Sequence, residues 1–184
     1  MTVMSDIEIL NAMLTGEIGM PNGWDPGHIQ PASYDIHLDD ELLESTMSNE
    51  LDPRAASQIP YITRQLPYPL LPGQLYLGSS IESFKLPPSI GARVDGKSSL
   101  GRMGLLTHIT AGFIDPGFCG TITLELLNVA RTQMRLVPGL AVAQVSFFRL
   151  GAPAQRPYGH PDRDSHYQWQ NTVTPACDVK TLKD

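Results

Sequence analysis

The stretch that decides the fold is residues 95–128, DGKSSLGRMGLLTHITAGFIDPGFCGTITLELLN. Apolar and polar side chains alternate through its last third, with Ile122, Leu124 and Leu126 on one face and Thr121, Thr123 and Glu125 on the other. This period of two predicts a β-strand with one buried face. Just before it, residues 111–117 indicate a short strand that enters a tight turn, because Asp115 precedes a Pro-Gly pair.

Glu125 is the residue of this strand that needs a chemical explanation. A glutamate among strand-forming apolar residues is costly to bury unless it is paired or kept neutral. Two interpretations stay open at this point. Glu125 is either an edge-strand side chain that faces water, or a carboxyl group tuned for proton transfer.

A second chemical cluster lies just upstream, at residues 97–102, KSSLGR. Two cations, two hydroxyls and a glycine within six positions suit a polyphosphate, since the cations supply charge, the hydroxyls donate, and glycine lets the backbone approach closely. A solvated basic turn explains the same residues, so this segment alone does not decide between them.

The composition of the whole chain narrows the class of protein. Its 184 residues predict one domain, and 16 glycines with 16 prolines favour many short strands over long helices. A net charge of −6 argues against non-specific nucleic-acid binding. No apolar run reaches membrane-spanning length and the amino terminus lacks a signal-peptide core, so we expect a cytoplasmic protein with Cys119 and Cys177 as free thiols.

Flanking segments extend the prediction of a mainly β fold. Ser5 and Glu8 form a capping-box pattern that opens a short helix, whose apolar stripe is predicted to be Ile7, Leu10, Met13 and Leu14. Tyr34, Ile36 and Leu38 alternate with polar residues, which predicts a half-buried strand. Residues 44–60 are polar and indicate a surface excursion, and residues 61–71, with two prolines, indicate a sheet edge.

Two Pro-Gly pairs, at 72–73 and 138–139, each precede a predicted strand, at residues 74–79 and 140–148. Paired turn-and-strand units favour a β-sandwich or jelly-roll over a βαβ fold. From residue 151 onward, prolines break any regular element while aromatic residues continue. Either a frayed tail or a flap that closes over an active site explains this composition.

A catalytic zinc site is not expected. Zinc-dependent nucleobase deaminases carry an H-x-E…P-C-x-x-C signature, and the sequence contains neither H-x-E nor C-x-x-C. The five histidines show no pairing at i+4, the spacing that places two ligands on one helix face: His28, His37, His108, His160 and His166.

Several motifs together resemble the dCTP deaminase family of the dUTPase-like superfamily. They are KSSLGR, TAGFIDPGF and ITLELLN, with residues 30–35, 139–144, 156–159 and 167–170 in the same order. The resemblance implies a distorted jelly-roll with a short N-terminal helix, and a single domain over 1–184 whose residues from about 151 to 184 form a C-terminal flap. It also implies dCTP and dUTP as substrates, Mg²⁺ bound with the nucleotide, a homotrimer with shared active sites, and dTTP as a candidate feedback inhibitor.

The same resemblance implies roles for individual residues. Glu125 matches the family's catalytic glutamate, Asp115 the aspartate that contacts the deoxyribose, and Ser98, Arg102 and the Ala111 backbone match groups around the reacting water and triphosphate. A contact between Arg102 and Glu125 is expected to keep the carboxylate ionised. The full set of substrate-binding matches is Lys97, Ser98, Ser99, Leu100, Gly101, Arg102, Asp115, Thr123, Leu124, Glu125, Gln144, Tyr158, His166 and Gln170.

The prediction of the reaction product depends on Gly112 and Phe113. Deaminase-only relatives have His-Arg at this point, whereas members that also hydrolyse the triphosphate have Gly followed by an aromatic residue. The resemblance therefore implies conversion of dCTP to dUMP, ammonia and diphosphate. The alternatives are a deaminase that releases dUTP, a dUTPase without deamination, and a non-catalytic nucleotide-binding regulator. His166 departs from the family, which places a lysine there.

Overall fold

The computed structural model describes residues 2–47, 50–108 and 110–181. Its strands are β1 (Thr2–Val3), β2 (Ile29–Gln30), β3 (Ser33–Ser45), β4 (Tyr61–Gln65), β5 (Tyr68–Leu70), β6 (Leu75–Lys85), β7 (Ile90–Gly96), β8 (Leu105–Thr107), β9 (Phe113–Ile114), β10 (Cys119–Asn128), β11 (Met134–Leu136) and β12 (Ala141–Arg149). The helices are α1 (Asp6–Leu14) and α2 (Ser98–Met103), with 3-10 turns at Pro26–His28 and Pro53–Gln58. Of these described helices, none has the length and apolar character that crossing a membrane requires.

Antiparallel pairing joins most of the strands into one curled sheet. Within the described residues the order is β8-β10-β6-β3-β12-β7-β9, with β1 on β12 and with β2 and β4 on β3, while β5 and β11 pair separately. The core lies inside this curl, where Ile36, Leu38, Leu124, Leu126 and Phe147 are fully buried. The predicted mainly β fold is confirmed, and so are the buried faces of β3 and β10.

Helix α1 begins where the capping box predicts, but it buries a different face. The backbone N–H of Ser5 donates to Glu8 Oε2 at 2.9 Å, as expected for this motif. The predicted apolar stripe is wrong except at Met13, the one buried member of the stripe, because Ile7 and Leu14 are 58% and 66% exposed. The buried residues are Ile9, Ala12 and Met13. Apolar residues occur on every side of this short helix, so its packing against β2 and β3 selects the buried face.

The predicted surface excursion at 44–60 is wrong at its start. Strand β3 continues to Ser45, and Glu44 is buried beside Arg64, whose Nε donates to Glu44 Oε2 at 2.6 Å. Burial alone would raise the pKa of Glu44, but hydrogen bonds from Arg64 and Gln74 hold that pKa below its ordinary value. Residues 48 and 49 of the predicted excursion, and 182–184 of the predicted tail, lie outside the described residues.

The tail from residue 151 has neither helix nor strand in its described part, yet it follows β10 closely. Trp169 donates its backbone N–H to the Cys119 carbonyl at 2.7 Å, and Thr121 donates to the Gln170 carbonyl at 2.9 Å. The Gln168 side chain adds bonds to both Gly117 and Cys119. The tail therefore lies along the outer side of β10 and covers the part of that strand that carries Thr123 and Glu125.

Candidate active site

Two neighbouring cavities contain most of the chemically interesting side chains. The larger, of about 590 Å³, lies between β10, the turn at 111–115 and the tail, and we call it the Glu125 cavity. The smaller, of about 410 Å³, lies between β7, α2 and β8, and we call it the Lys97 cavity. His108 and Phe113 line both cavities, so the two are adjacent.

Most of the wall of the Glu125 cavity is apolar. Leu43, Leu75 and Leu77 come from β3 and β6, Phe118 immediately precedes β10, and Ile122 lies in β10. The polar groups converge from different elements: Ser45, Tyr61, His108, Asp115, Thr123, Glu125, Tyr158, Tyr167, Gln170 and Thr174. An apolar cavity with a small number of converging polar groups is the usual form of a small-molecule site.

Glu125 faces His108, a neighbour that sequence reasoning did not identify. Strand β8 pairs with β10 so that Thr107 lies opposite Leu126, and this register brings the next residue, His108, beside Glu125. The backbone N–H of His108 donates to the Glu125 carbonyl at 2.8 Å. In the side chains, His108 Nδ1 lies 3.2 Å from Glu125 Oε2, although the two groups are not aligned for a hydrogen bond.

The contact of the other ring nitrogen, Nε2, determines the tautomer of a neutral His108. Nε2 is 3.0 Å from the backbone carbonyl of Ala111, which can only accept, so Nε2 carries a hydrogen. In the neutral imidazole the lone pair of Nδ1 then faces Glu125 Oε2. Both atoms are then acceptors without a donor, which a water molecule or a ligand N–H or O–H could supply. This geometry suits a carboxyl group that stores and releases a proton.

Buried polar atoms without partners concentrate around the two cavities. Among the described residues these atoms are Thr107 Oγ1, His108 Nδ1, Glu125 Oε2 and Gln170 Oε1. Each residue lines at least one of the two cavities. Buried polar groups are nearly always satisfied in native proteins, so this concentration indicates hydrogen bonds reserved for a ligand or for water.

The turn after Ala111 forms one rim of the Glu125 cavity. Ala111 and Asp115 are exposed and line it, and Phe113 is 58% exposed although it belongs to β9. Gly112 is held against β7, since its carbonyl accepts from the Val94 N–H at 2.8 Å. A Cβ at Gly112 would lie 2.7 Å from the Val94 carbonyl oxygen, so no other residue fits without a backbone shift.

The tail supplies the opposite rim through two tyrosines and a glutamine. Burial raises the pKa of Tyr158, and the Asp115 carboxylate raises it further, so the Tyr158 hydroxyl stays protonated. That hydroxyl accepts the Tyr167 backbone N–H at 2.9 Å, which ties the two tyrosines together. Gln170 donates from Nε2 to the Thr121 carbonyl at 2.6 Å, and this bond leaves its Oε1 without a partner.

The Lys97 cavity collects the basic motif and part of β7. Lys97, Ser98 and Gly101 line it, together with Arg93 and Asp95. Lys97 Nζ donates to Asp35 Oδ1 at 2.7 Å, which fixes this ammonium at the edge of the cavity. Gln144 lies opposite Asp35 and Asp95 in the sheet register, so it belongs to the same polar region, and its Oε1 accepts from Ser33 Oγ at 3.4 Å.

The remaining predicted residues lie outside both cavities. Leu100 and Leu124 are buried in the core and offer only their backbone, whereas Ser99, Arg102 and His166 are exposed. The expected Arg102–Glu125 contact does not form within one chain, because α2 turns Leu100 toward the core and Arg102 toward the surface. His166 Nε2 instead lies 3.9 Å from Asp164 Oδ2, and the neighbour of Glu125 is His108.

Comparison with known proteins places this arrangement in a family. A dCTP deaminase-like family model matches residues 3–150. Proteins named "dCTP deaminase, dUMP-forming" are similar over nearly the whole length. The one from Bifidobacterium longum is 46% identical over 182 residues, covering 95% of this chain and 93% of the relative. The one from Nocardioides sp. is 45% identical over 182 residues, covering 95% and 94%.

Solved structures of two enzymes share the fold at low sequence identity. The 2′-deoxycytidine 5′-triphosphate deaminase from Agrobacterium tumefaciens matches with a TM-score of 0.64 and 22% identity, covering 79% of this chain and 46% of that one. This chain thus spans about half of that deaminase. The Staphylococcus bacteriophage 80alpha dUTPase matches with a TM-score of 0.51 and 12% identity, covering 82% and 93%. The fold is therefore dUTPase-like, and this chain belongs to the dCTP deaminase-like family.

Proposed function

We propose that this chain deaminates dCTP and hydrolyses its triphosphate, giving dUMP, ammonia and diphosphate. The observation that carries the proposal is the Glu125 carboxyl group, which places a buried, unpartnered oxygen in a mostly apolar cavity of nucleotide-compatible size. The relatives named "dUMP-forming" at 45–46% identity support the same reaction. A cytoplasmic location follows from the substrate, because free deoxynucleoside triphosphates occur there.

In the first step, Glu125 moves the protons of the deamination. It accepts a proton from water as the water oxygen bonds to C4 of cytosine, and it delivers that proton to N3. The C4–N bond then breaks, and the amino group takes up a proton from the added hydroxyl and leaves as ammonia. His108 lies beside the carboxyl group during each transfer, with Nδ1 3.2 Å from Glu125 Oε2.

The free Gln170 Oε1 suits recognition of the base. The amino group of cytosine donates two hydrogens, and an acceptor without a partner in the cavity wall can take one of them. Uracil has a carbonyl oxygen at the same position, so the interaction favours the substrate of the first step over its product. Thr123 lies on the same face of β10 as Glu125, although its Oγ1 already accepts from the Thr174 N–H at 3.1 Å.

In the second step, the triphosphate is cleaved between its α and β phosphates. Asp115 contacts the deoxyribose and orients the attacking water, a role suited to an exposed carboxylate at the cavity rim. Lys97 and Ser98 bind the phosphates from the adjoining cavity. Mg²⁺ fits this region because it prefers oxygen ligands and is usually held by substrate phosphates with one or two carboxylates, and it neutralises phosphate charge when bound.

The donor set around Glu125 favours deamination by protein groups without zinc. The one imidazole that lines the described part of the cavity commits Nε2 to the Ala111 carbonyl. Catalytic zinc usually needs three protein ligands, and one histidine with a neighbouring glutamate is a poor match for that requirement. Glu125 and His108 are therefore assigned to proton transfer and not to metal binding.

We further propose that the complete site forms between chains of a homotrimer. Arg102 is exposed and lines neither cavity of its own chain, as expected if it acts on a cavity of a neighbouring copy. dTTP carries the same deoxyribose and triphosphate as the substrate, so it would bind the same groups and compete as an inhibitor.

A complementation experiment tests the shared site. Glu125→Gln and Arg102→Ala chains, each inactive alone, are co-expressed with different tags and purified as mixed oligomers. In a mixed trimer, one of the three interfaces joins the intact Glu125 of one chain to the intact Arg102 of its neighbour, so we expect about a third of wild-type activity. Activity no higher than that of either parent would contradict a site shared in this way.

Substitution of Gly112 tests the link between this turn and the second step. Because a Cβ would meet the Val94 carbonyl at 2.7 Å, Gly112→Ala must shift the segment that carries Ala111, Phe113 and Asp115. We expect the ratio of dUTP to dUMP released from dCTP to rise roughly tenfold or more, since small misplacements strongly impair aligned chemistry. Gly151→Ala is the control, because nothing lies within 4 Å of its Cβ position. An unchanged product ratio would show that this turn does not control the second step.

The overall reaction is tested by incubating the purified chain with dCTP and Mg²⁺ while ammonia and nucleotides are measured together. We expect ammonia and dUMP to appear at equal rates. Ammonia with dUTP would identify a deaminase that stops after the first step, and dUMP from dUTP without activity on dCTP would identify a dUTPase. Binding of dCTP without turnover would support a regulator and overturn the proposal.

A further inference from the structure

Two histidines and a glutamate meet away from both cavities. His28 ends the 3-10 turn at Pro26–His28, His37 lies in β3 and Glu82 in β6, and none of the three lines either cavity. One nitrogen or oxygen atom from each lies within 4.8 Å of those of the other two. The imidazole rings are close, with centroids 4.3 Å apart. Glu82 is 7% exposed, so this is a partly enclosed cluster and not a solvated charge patch.

Each histidine is held in place through its Nδ1 atom. His37 Nδ1 lies 2.7 Å from Glu82 Oε1, and the other oxygen of Glu82 accepts the His37 backbone N–H at 2.8 Å. His28 Nδ1 lies 3.4 Å from the Tyr34 hydroxyl, which itself accepts from the Asp25 backbone N–H at 3.0 Å. In the described ranges neither histidine has a hydrogen-bond partner at Nε2, so both keep a nitrogen for another ligand.

This pattern is the one that proteins use to prepare histidines for metal binding. A metal-bound histidine commonly donates its second ring N–H to a carboxylate or another oxygen, which fixes the tautomer and the ring orientation. Here Glu82 fills that role for His37, and Tyr34 fills it for His28. Two ligands of a tetrahedral zinc ion, each about 2.1 Å from it, lie roughly 3.4 Å apart, so the side chains would have to draw closer than the 4.8 Å within which their ligand atoms now lie.

We propose that His28, His37 and Glu82 form a binding site for a divalent transition-metal ion of the Zn²⁺ type, separate from the nucleotide site. His28 and His37 bind through Nε2, Glu82 orients His37 and balances the charge, and water completes the coordination. Imidazole ligands favour zinc and its neighbours over Mg²⁺, so the magnesium carried by the nucleotide does not compete here. The ion links the turn that carries His28 to β3 directly and to β6 through Glu82, so its binding should stabilise the fold.

The test uses the untagged full-length protein, stripped with a chelator and then dialysed against Zn²⁺. We expect wild type to bind one more zinc ion per chain than His28→Gln does. His37→Gln should lose the same zinc ion. His160→Gln is the matched control, since His160 also lies near a carboxylate, Asp162 at 3.7 Å, but outside the cluster. Zinc at 100 times its dissociation constant should raise the melting temperature of wild type by about 5–10 °C and leave His28→Gln unchanged.

Cobalt substitution separates this site from the cysteines. A site of imidazole and carboxylate ligands should give visible Co²⁺ bands without the thiolate charge-transfer absorption that Cys119 or Cys177 would produce. Because His28 lies in a surface turn, His28→Gln should fold, and circular dichroism checks this. Equal zinc content in wild type and His28→Gln, loss of zinc in His160→Gln, or a thiolate band would each overturn the proposal.

Discussion

Glu125→Gln is expected to reduce ammonia release from dCTP by ~10²–10⁴-fold, the usual contribution of a positioned general acid–base group. Glutamine keeps the shape of the side chain but cannot carry a proton between water, N3 and the leaving amino group. The exchange also replaces the carboxyl oxygen that lies 3.2 Å from His108 Nδ1 with an amide group. Steady-state ammonia release measures the loss, and equilibrium binding should show dCTP affinity within a few-fold of wild type.

Glu41→Gln is the matched control for this variant. Glu41 is also a strand glutamate, but it lies on β3, bonds to Gln65 at 2.7 Å and lines neither cavity. It should turn over dCTP as wild type does. If Glu125→Gln released ammonia within a few-fold of wild type, Glu125 would not be the proton carrier, and the assignment of this cavity would fail.

Removal of the tail from Tyr158 onward is expected to stop dCTP turnover in a protein that still folds. The tail provides Tyr158, Tyr167 and Gln170 to the Glu125 cavity, together with Thr174, Pro175 and Ala176. By contrast, the fully buried residues of the main core all lie before residue 148, so the sheet should survive the deletion. Loss of base contacts and of water exclusion should lower the rate by roughly 10²-fold or more, the scale on which lost positioning acts.

A chain that ends at Ala176 provides the comparison, because it keeps every tail residue that lines the cavity. It should retain most of its activity. This result would show that turnover needs the tail residues that line the cavity and not the residues after Ala176. Circular dichroism and thermal unfolding establish that both shortened chains are folded. Full turnover by the chain lacking Tyr158 would remove the tail from the mechanism. Hydrogen exchange tests our expectation that the tail is mobile without nucleotide and protected with it.

The strands were predictable where one face is buried. Ile36 and Leu38 in β3, and Leu124 and Leu126 in β10, face the core as their alternation indicates. The helix stripe was not predictable, because apolar residues on all sides of α1 make several stripes equally consistent with the sequence. Glu44 shows a different limit. A polar residue indicates a surface only when no partner is available, and Arg64 comes from a strand whose pairing the sequence does not reveal.

The same distinction applies to the candidate site: residues with local sequence signals were predictable, and residues placed by the pairing of distant segments were not. Glu125, Asp115 and Lys97 stand out in the sequence because their residue types and turn signals are local. His108 does not, since its place beside Glu125 depends on the β8–β10 register, which places Thr107 opposite Leu126. The cluster of His28, His37 and Glu82 is still less visible, because three separate elements carry its members. The exposure of Arg102 could be learned only from the orientation of α2.

The most direct test of the account asks whether one bound nucleotide undergoes both steps. Radiolabelled dCTP is supplied with Mg²⁺ and an excess of unlabelled dUTP, in the presence of a zinc-selective chelator, and label is followed in dUTP and dUMP. If deamination and hydrolysis occur in the same cavity without release, labelled dUMP should form while the dUTP pool stays unlabelled. Accumulation of label in dUTP, or arrest of deamination by the chelator, would contradict the account.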